Sequence, residues 1–253
     1  MLKGISAAGA VLTILLATVP SWGATESVLY SFEGGNDGSD PVAGLIADAN
    51  GNFYGTTSSG GTHTVGTVFK FWKDGSETIL YNFGTTLNDG GTPEAGLIAD
   101  KKGNLYGTAG FGGAYGEGVV FELAPNGTYT VLHPFSGGNG GADGAQPYAA
   151  LVADKQGTLY GTTWEGGGYC SGVYGCGTLF EVPRNGAEQV LHDFGFDGNG
   201  FYPKAGVIID KAGNFFGTTD DTVFEFVPGS GVTALYTFCS QTNCSDGSGC
   251  VAG

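Results

Sequence analysis

The string Gly-Asn-Phe-Tyr-Gly-Thr-Thr at residues 51–57 decides the fold, because close copies of it return three more times along the chain. The copies begin at Gly103, Gly157 and Gly213, so that successive starts are 52, 54 and 56 residues apart. Repetition at a nearly fixed period is the signature of an array whose units fold alike and pack on their neighbours. The chain is therefore predicted to be a tandem-repeat protein with four full units.

Three other sequence segments recur with the same period as this string. A proline and an apolar run ending in aspartate precede each copy, at 41–48, 93–100, 147–154 and 203–210. A Thr-Val-Phe-like strand follows each copy, at 68–71, 120–123, 179–182 and 223–226. A Leu-Tyr/His-x-Phe strand closes each unit and also occurs once before the first, at 29–32, 80–83, 132–135, 191–194 and 235–238. Each unit thus holds four short strands, joined by Gly, Asn, Asp and Pro, with no room for a helix.

Four-stranded units of about 50 residues are the size of a β-propeller blade. A β-sandwich would not keep so strict a period, and the coils of a solenoid are usually shorter. The 50 glycines among 253 residues also disfavour helices, since each interior glycine costs about 1 kcal/mol relative to alanine. We predict an all-β, propeller-like array of four-stranded blades, with four repeats of about 52–56 residues and the start of a fifth.

The N-terminus has the pattern of a secretory signal peptide. Lys3 gives a positive start, 7–19 is a run of small and apolar residues, and Ser21-Trp22-Gly23 places small residues at the positions that signal peptidase reads. The apolar run is too short for a good membrane span. The sequence predicts a signal peptide at 1–24, a repeat domain at 25–253, and a mature protein that is secreted or lies at the cell surface without a membrane span.

The repeat units run over about 28–71, 79–123, 131–182 and 190–226, with a partial unit at 234–253. Residues 246–253 align position for position with residues 37–44 of the first unit. Two explanations stay open: the chain is a fragment of a larger propeller, or four blades close with a surplus edge strand. We expect the fragment, because an open array exposes an unpaired strand edge.

Together, these markers resemble the GloVer (Gloeo-Verruco) tandem-repeat family of exported, choice-of-anchor bacterial proteins. The resemblance extends from about Val28 to Gly253 and rests on four markers that recur in register. It implies an exported, often surface-anchored, propeller-like protein without a defined biochemical activity. It transfers no catalytic residues.

The excess of acidic residues limits which kinds of molecule this protein can bind. Nine Lys and Arg stand against 24 Asp and Glu, which gives a net charge of −15. So acidic a chain repels phosphate backbones, and we therefore predict no nucleic-acid partner. The partner that we expect instead is an extracellular polysaccharide or a surface protein.

Five cysteines suit an oxidising compartment. Cys170 and Cys176 share one glycine-rich loop, and Cys239 and Cys244 share another, so we predict two local disulfides and one remaining thiol, Cys250. The spacings are not those of a zinc knuckle, and no histidine is near them.

No motif for nucleophilic or metal-dependent catalysis occurs in the chain. His133 and His192 take the position that tyrosine holds in the other Leu-x-x-Phe strands, which indicates ring-shaped fillers of a structural position. A propeller hydrolase or lyase stays an alternative, with carboxylates supplied once per blade near the central channel. Its candidates are Asp48, Asp100, Asp154 and Asp210, although their place at hairpins favours turn capping.

Acidic loops follow the Leu-x-x-Phe strands and contain an Asp-Gly pair. Their candidate calcium ligands are Asp37, Asp89, Asp143 and Asp197. No loop reproduces an EF-hand, and Asp-Gly is also a common turn signal, so a turn is the default interpretation and calcium is the one cofactor left open.

The loop between the second and third strands is longest in the third unit, where it carries Trp164, Tyr169 and Tyr174. Exposed aromatic rings on such a loop can stack on sugars or anchor a protein. We predict a non-enzymatic exported protein that binds an extracellular glycan or protein through its loops. A purely structural surface spacer is a further alternative.

Overall fold

The computed structural model of the protein describes residues 26–137, 142–168, 175–195 and 198–241. The predicted signal peptide at 1–24 and the partial fifth unit beyond residue 241 lie outside these ranges. The predictions that concern them therefore stay predictions.

In these described ranges, sixteen strands form four sheets of four. The first sheet contains β1 (Ile46–Ala47), β2 (Phe53–Thr57), β3 (Thr67–Phe71) and β4 (Glu77–Asn82). The second contains β5 (Ile98–Ala99), β6 (Leu105–Ala109), β7 (Val119–Leu123) and β8 (Tyr129–Pro134). The third contains β9 (Val152–Ala153), β10 (Leu159–Thr163), β11 (Thr178–Val182) and β12 (Gln189–Asp193). The fourth contains β13 (Ile208–Ile209), β14 (Phe215–Thr218), β15 (Thr222–Val227) and β16 (Gly231–Thr237).

Every sheet is antiparallel, and its strands lie in the order in which they follow along the chain. The described residues contain no α-helix. The predicted all-β, propeller-like array of four-stranded blades is thereby confirmed. Each sheet closes with a Leu-x-x-Phe strand, whereas the first such segment, 28–32, precedes the first sheet and is not one of the sixteen strands.

A glycine in the second strand of each blade receives an aromatic ring from the third strand. A Cβ added at Gly107 would lie 2.7 Å from Cζ of Phe121 and 2.9 Å from Cδ2 of Leu97. The equivalent Gly161 is as close to Phe180. The second glycine of the repeated string is therefore fixed by packing, because no larger residue fits beneath the ring.

The hydrophobic core lies between successive sheets. One cluster joins Val68 and Phe83 of the first unit to Leu97 and Phe121 of the second, and two further clusters repeat this arrangement at the next two boundaries. Four of the five phenylalanines that end the Leu-x-x-Phe segments pack edge-on against the third-strand ring of the blade that follows. Phe83 and Phe121, for example, have centroids 5.3 Å apart.

A hydrogen bond from the repeated string also crosses each boundary. The threonine directly after the second glycine of the string donates its side-chain hydroxyl to an alanine carbonyl in the next unit. The bonds are Thr56 to Ala95 at 3.0 Å, Thr108 to Ala149 at 3.1 Å, and Thr162 to Ala205 at 2.9 Å. The three hydroxyls therefore act as equivalent clasps between blades.

The two ends of the sheets differ in character. We call one end the loop face: it carries the β2–β3 loop and its equivalents, and the connections from one sheet to the next. The other end, the turn face, carries the tight turns between the first and second strands and between the third and fourth. Because the strands alternate in direction, every blade contributes the same kinds of connection to each face.

A candidate binding surface on the loop face

The residue before each marker proline has left-handed backbone geometry, which is rare for residues other than glycine. These residues are Asp40, Thr92, Gln146 and Tyr202, with φ of 58°, 54°, 56° and 56°. In the third blade, the Trp164 amide donates to the Gln146 carbonyl at 3.1 Å, and the first two blades have the same bond at 3.0 and 3.2 Å. The four blades thus keep one backbone geometry while the side chains differ.

Two positions of the repeat meet across the boundaries on both sides of the third blade. One is the residue after the marker proline, and the other is the residue after the Gly-Thr-Thr string of the preceding blade. Tyr148 covers Gly110, where an added Cβ would lie 2.5 Å from the Tyr148 ring. At the next boundary, Lys204 places its ammonium nitrogen 4.5 Å from the centroid of the Trp164 ring. The same two positions therefore carry different chemistry at each boundary.

Tyr148 and Trp164, together with Phe111 and Tyr202 beside them, form a line of four rings, which we call the aromatic row. Successive ring centroids are 6.0, 5.9 and 6.1 Å apart. Phe111 is 44% exposed, and the other three rings are half-buried. The row extends over the second, third and fourth blades. Because each ring contacts the next one and the backbone that carries the rings has one geometry, the exposed ring edges form a rigid surface.

Polar groups accompany the row. The Tyr148 hydroxyl donates to Oε1 of Gln146 at 2.9 Å, and Nε2 of Gln146 donates to Oε2 of Glu165 at 3.0 Å. Burial, together with the charge of Glu117, raises the pKa of Glu165. Within the described part of the chain, the buried Nε1 of Trp164 has no hydrogen-bond partner. The surface therefore combines apolar rings with a fixed chain of side-chain hydrogen bonds.

Of the three aromatic residues predicted from the sequence, Trp164 lies in this row, whereas Tyr169 and Tyr174 fall outside the described residues. Sequence reasoning missed Phe111, Tyr148 and Tyr202. A signal for the latter two was present: both flank a marker proline, at positions where the four repeats differ most.

The candidate calcium ligands act as loop acceptors where they are described. Asp37 accepts hydrogen bonds from the amides of Glu33 and Gly35, and Asp89 accepts them from Gly84 and Thr86. Asp143 accepts the amide and hydroxyl of Ser136 in the same way, and Asp197 lies outside the described ranges. Among the residues that the structure covers, no group of three or more His, Cys, Asp or Glu is placed to hold a metal ion. A calcium role for these loops stays a prediction.

The ring position of the Leu-Tyr/His-x-Phe strands is structural, as the sequence indicated. All five rings lie edge-on to the phenylalanine two residues later, with centroids 4.7–5.4 Å apart: Tyr30, Tyr81, His133, His192 and Tyr236. Tyr30, Tyr81 and His133 also contact the loop carboxylates Asp37, Asp89 and Asp143. Histidine thus substitutes for tyrosine as a ring and as a partner of the aspartate.

The aspartates considered for a hydrolase or lyase cap turns on the opposite, turn face. Asp48 accepts hydrogen bonds from the amides of Asn50 and Asn52 and from the Asn52 side chain. These bonds, that of the Asn52 side chain foremost, lower the pKa of Asp48 to about 2. The equivalent residues accept the same pair of backbone bonds: Asp100, Asp154 and Asp210.

Only one cysteine of each predicted disulfide lies within the described ranges. Cys176 is 1% exposed beneath the loop of the third blade, and Cys239 follows the last strand. Cys170 and Cys244 lie outside the described ranges, so both pairings stay predictions. No helix in the described part of the chain is long and apolar enough to cross a membrane.

The fold is similar to that of solved propeller-like proteins. The extracellular domain of a one-component system from B. thetaiotaomicron is 10% identical, with a TM-score of 0.55 over 83% of this chain and 23% of that one. The extracellular domain of a hybrid two-component system from the same organism is 16% identical, with a TM-score of 0.50 over 78% and 23%. A gluconolactonase from Xanthomonas campestris is 17% identical, with a TM-score of 0.50 over 77% and 61%.

At such identities the likeness shows the fold alone. The chain spans less than two thirds of the length of each of these proteins. No curated protein matches the sequence significantly. The model of the Gloeobacter/Verrucomicrobia repeat, however, matches residues 3–222. The chain belongs to the Gloeobacter/Verrucomicrobia repeat family, in agreement with the resemblance drawn from its four markers.

Proposed function

We propose that this chain is an exported, non-enzymatic repeat protein that binds an extracellular glycan through the loop face of its propeller-like array. The observation that carries the proposal is the aromatic row, in which four rings from three blades follow one another at steps of about 6 Å. Rings at this spacing suit a ligand made of successive flat units, such as the pyranose rings of a polysaccharide.

The polar groups around the row support a sugar more than an apolar partner. Burial, followed by the charges of Glu94 and Glu165, raises the pKa of Tyr148 to about 12, so its hydroxyl stays protonated and keeps its bond to Gln146. Its oxygen remains free to accept from a sugar hydroxyl. Tyr169 and Tyr174 belong to the same proposal as neighbours of Trp164 in the chain.

The loop-face geometry also suits a binding role, because the backbone is constant and the side chains vary. Four left-handed residues hold the connections in one geometry, and each strained position costs about 1–3 kcal/mol, which the surrounding contacts must offset. A rigid frame reduces the ordering cost of binding. Loops held by a rigid scaffold are where binding residues concentrate.

Binding to arrayed cell-envelope and plant polysaccharides, followed by calorimetry on the best ligand, tests the proposal. We expect Trp164→Ala and Tyr148→Ala to weaken binding about tenfold, which corresponds to about 1.4 kcal/mol. The matched control is Trp72→Ala, since Trp72 is an exposed tryptophan on the turn face, and it should change affinity less than twofold. Retention of proteins only, or equal losses in Trp164→Ala and Trp72→Ala, would contradict the proposal.

Export is part of the same proposal. The signal-peptide pattern and the extracellular domains among the similar folds support it. Expression of the full chain in a bacterial host, followed by N-terminal sequencing of the exported protein, should show cleavage after Gly23 or Ala24. An unprocessed chain retained inside the cell would overturn this part.

A further inference from the structure

A groove crosses the turn face between the second and third blades. It consists of two cavities of about 520 and 340 Å³ that meet at Tyr106, Gly157, Leu159 and Arg184. Together they reach the size that small-molecule sites usually have. The groove is on the opposite end of the sheets from the aromatic row, so it can be tested independently.

The groove concentrates positive charge in an acidic protein. Four of the nine Lys and Arg residues of the chain line it: Lys101, Lys102, Lys155 and Arg184. Lys101 and Lys102 come from the first turn of the second blade, whereas Lys155 and Arg184 come from two turns of the third. Since a cleft with low-dielectric walls focuses the field of its charges, this boundary attracts anions although the chain as a whole repels them.

The groove also contains three carboxylates, Asp100, Asp154 and Glu122, so its four cations leave a net charge of +1, whereas the chain as a whole carries −15. Asp100 accepts bonds from the backbone amides of Lys102 and Asn104, and Asp154 accepts those of Gln156 and Thr158, which directs these oxygens to their own turns. Arg184 forms an ion pair with Asp100 at 4.0 Å, and its side chain is 51% exposed, so the guanidinium can also contact a ligand.

Comparison of the repeats shows that the cluster is particular to this boundary. The turn position of Lys101 and Lys155 is Ala49 in the first blade and Lys211 in the fourth. The position of Arg184 is occupied in the other blades by Lys73, Pro125 and Pro228. The shared fold requires only the Asp and the Gly of each turn, and the four cations meet where two cation-bearing blades are neighbours.

The floor of the groove is apolar. Ile98, Ala99 and Leu159 line it beneath the charged rim, alongside the ring of Tyr106. From this arrangement we infer that the groove binds an organic anion, a carboxylate, sulfate or phosphate carried on an apolar ring or chain. The anionic group contacts Arg184 and the lysines, and the apolar part covers the floor.

The probe for this site is 8-anilinonaphthalene-1-sulfonate, which carries a sulfonate on an apolar ring system. N-phenyl-1-naphthylamine has the same rings without the charge and serves as the matched ligand. We expect fluorescence titrations of the full chain in 20 mM salt to show a site that prefers the sulfonate at least fivefold. This preference should fall in 500 mM salt, because exposed charges are then screened. Equal affinity for the two probes would overturn the proposal.

A matched pair of variants locates the site. Lys155→Glu with Arg184→Glu reverses two charges in the groove, whereas Lys73→Glu with Lys211→Glu reverses two charges at equivalent turn positions of other blades. We expect the first pair to weaken sulfonate binding at least tenfold and the second less than twofold, with unchanged circular dichroism in both. Equal losses would show that only the net charge of the molecule matters and would overturn the site.

Displacement then identifies the chemical class of the ligand. Benzoate and phenyl phosphate should compete with the bound sulfonate, and their order of strength distinguishes a carboxylate site from a phosphate site. Benzyl alcohol, which has the ring without the charge, should not compete. Equal competition by benzyl alcohol would show that the apolar floor alone binds the probe, and would contradict an anion site.

Discussion

The three boundaries between blades and the two outer faces of the array are built from the same repeated residues, yet they differ in burial. Leu97, Leu151 and Val207, which precede the first strands of the second to fourth blades, are each 2% exposed, whereas the equivalent Leu45 of the first blade is 52% exposed. At the other end, Ile208 is 68% exposed, while its equivalents pack against the next blade. A blade therefore does not bury its own apolar residues, and its neighbour supplies the cover.

The clasping threonines show the same contrast. Thr56, Thr108 and Thr162 are 1–2% exposed, and each donates to the next blade. Thr218, at the same position of the fourth blade, is half-buried. The stability of the array should thus reside in its boundaries, as expected for a repeat protein in which each unit contacts only its neighbours.

The largest expected effect comes from truncating one leucine at each kind of position. Leu97→Ala removes a side chain from the cluster between the first two blades and should lower the free energy of unfolding by about 2–5 kcal/mol. Leu45→Ala removes the same atoms from an exposed position and should cost less than about 1 kcal/mol. Urea unfolding followed by intrinsic fluorescence measures both. Similar losses would mean that the leucine stabilises its own sheet rather than the boundary.

A pair of threonines inside one sheet provides a contrast with the boundaries. Thr57 and Thr67 are fully buried, and their hydroxyls are 2.8 Å apart; the second blade has the buried pair Ala109 and Val119 at these positions. Thr57→Ala alone deprives the buried Thr67 hydroxyl of this partner and should cost about 1–3 kcal/mol.

The double variant Thr57→Ala with Thr67→Val reproduces the pair of the second blade. It should recover most of that loss, because replacing both partners by apolar groups leaves no polar group unpaired. Urea unfolding of the two single variants and the double variant completes the cycle. Strictly additive losses would contradict this explanation of the difference between the blades.

One boundary also buries a titratable group. Glu188 lies 4.0 Å from His133 across the boundary between the second and third blades, and its side chain is 6% exposed. Burial, opposed by His133 and reinforced by Asp143 and Asp193, raises the pKa of Glu188 to about 7 from an ordinary value of 4.5. The folded protein therefore holds this proton more tightly than the unfolded chain. The resulting stability is complete below pH 4.5 and is lost as the pH rises through 7.

Glu188→Gln should remove this loss. We expect the variant to gain about 1–2 kcal/mol over the wild type at pH 8 and little at pH 4.5, in melting experiments at constant ionic strength. Taking the difference between the two proteins cancels the pH response of the other 23 acidic residues. Parallel stability profiles from pH 4.5 to 8 would show that Glu188 ionises normally in the folded state.

The smallest expected effect tests the clasps. Thr162→Val removes the hydrogen bond to the Ala205 carbonyl and should cost about 1 kcal/mol, the usual net value of a buried hydrogen bond. Thr218→Val, at the outer face, should change the free energy of unfolding by less than about 0.5 kcal/mol. An equal cost at both positions would assign the effect to strand propensity rather than to the boundary.

The sequence was sufficient for the strands and their order, because the four markers repeat in register and each marker became one strand or turn. It was also sufficient for the ring position of His133, since tyrosine stands at the equivalent place in other repeats. It could not predict the aromatic row. Tyr148 meets Trp164 within the third blade, and Trp164 meets Tyr202 across the boundary to the fourth, so the row brings together different positions of the repeat.

The burial of Glu188 could not be predicted either. The equivalent residues in the other blades are Glu77, Tyr129 and Val232, which share no chemistry. What surrounds this position depends on the preceding blade, where His133 replaces the tyrosine found at the boundary before it and pairs with the equivalent aspartate, Asp143. The sequence of a single repeat therefore contains only half of the residues that form a boundary, and the neighbouring repeat supplies the other half.

The four left-handed residues before the prolines have a consequence for how such proteins diversify. The four units share the left-handed geometry at Asp40, Thr92, Gln146 and Tyr202 although the side chain differs in each, so the side chain there can be exchanged without altering the frame. Recombination between units of one gene would then shuffle ligand contacts in register. Gain or loss of a whole unit would change how many contacts the surface offers, while leaving the geometry of each contact as it was.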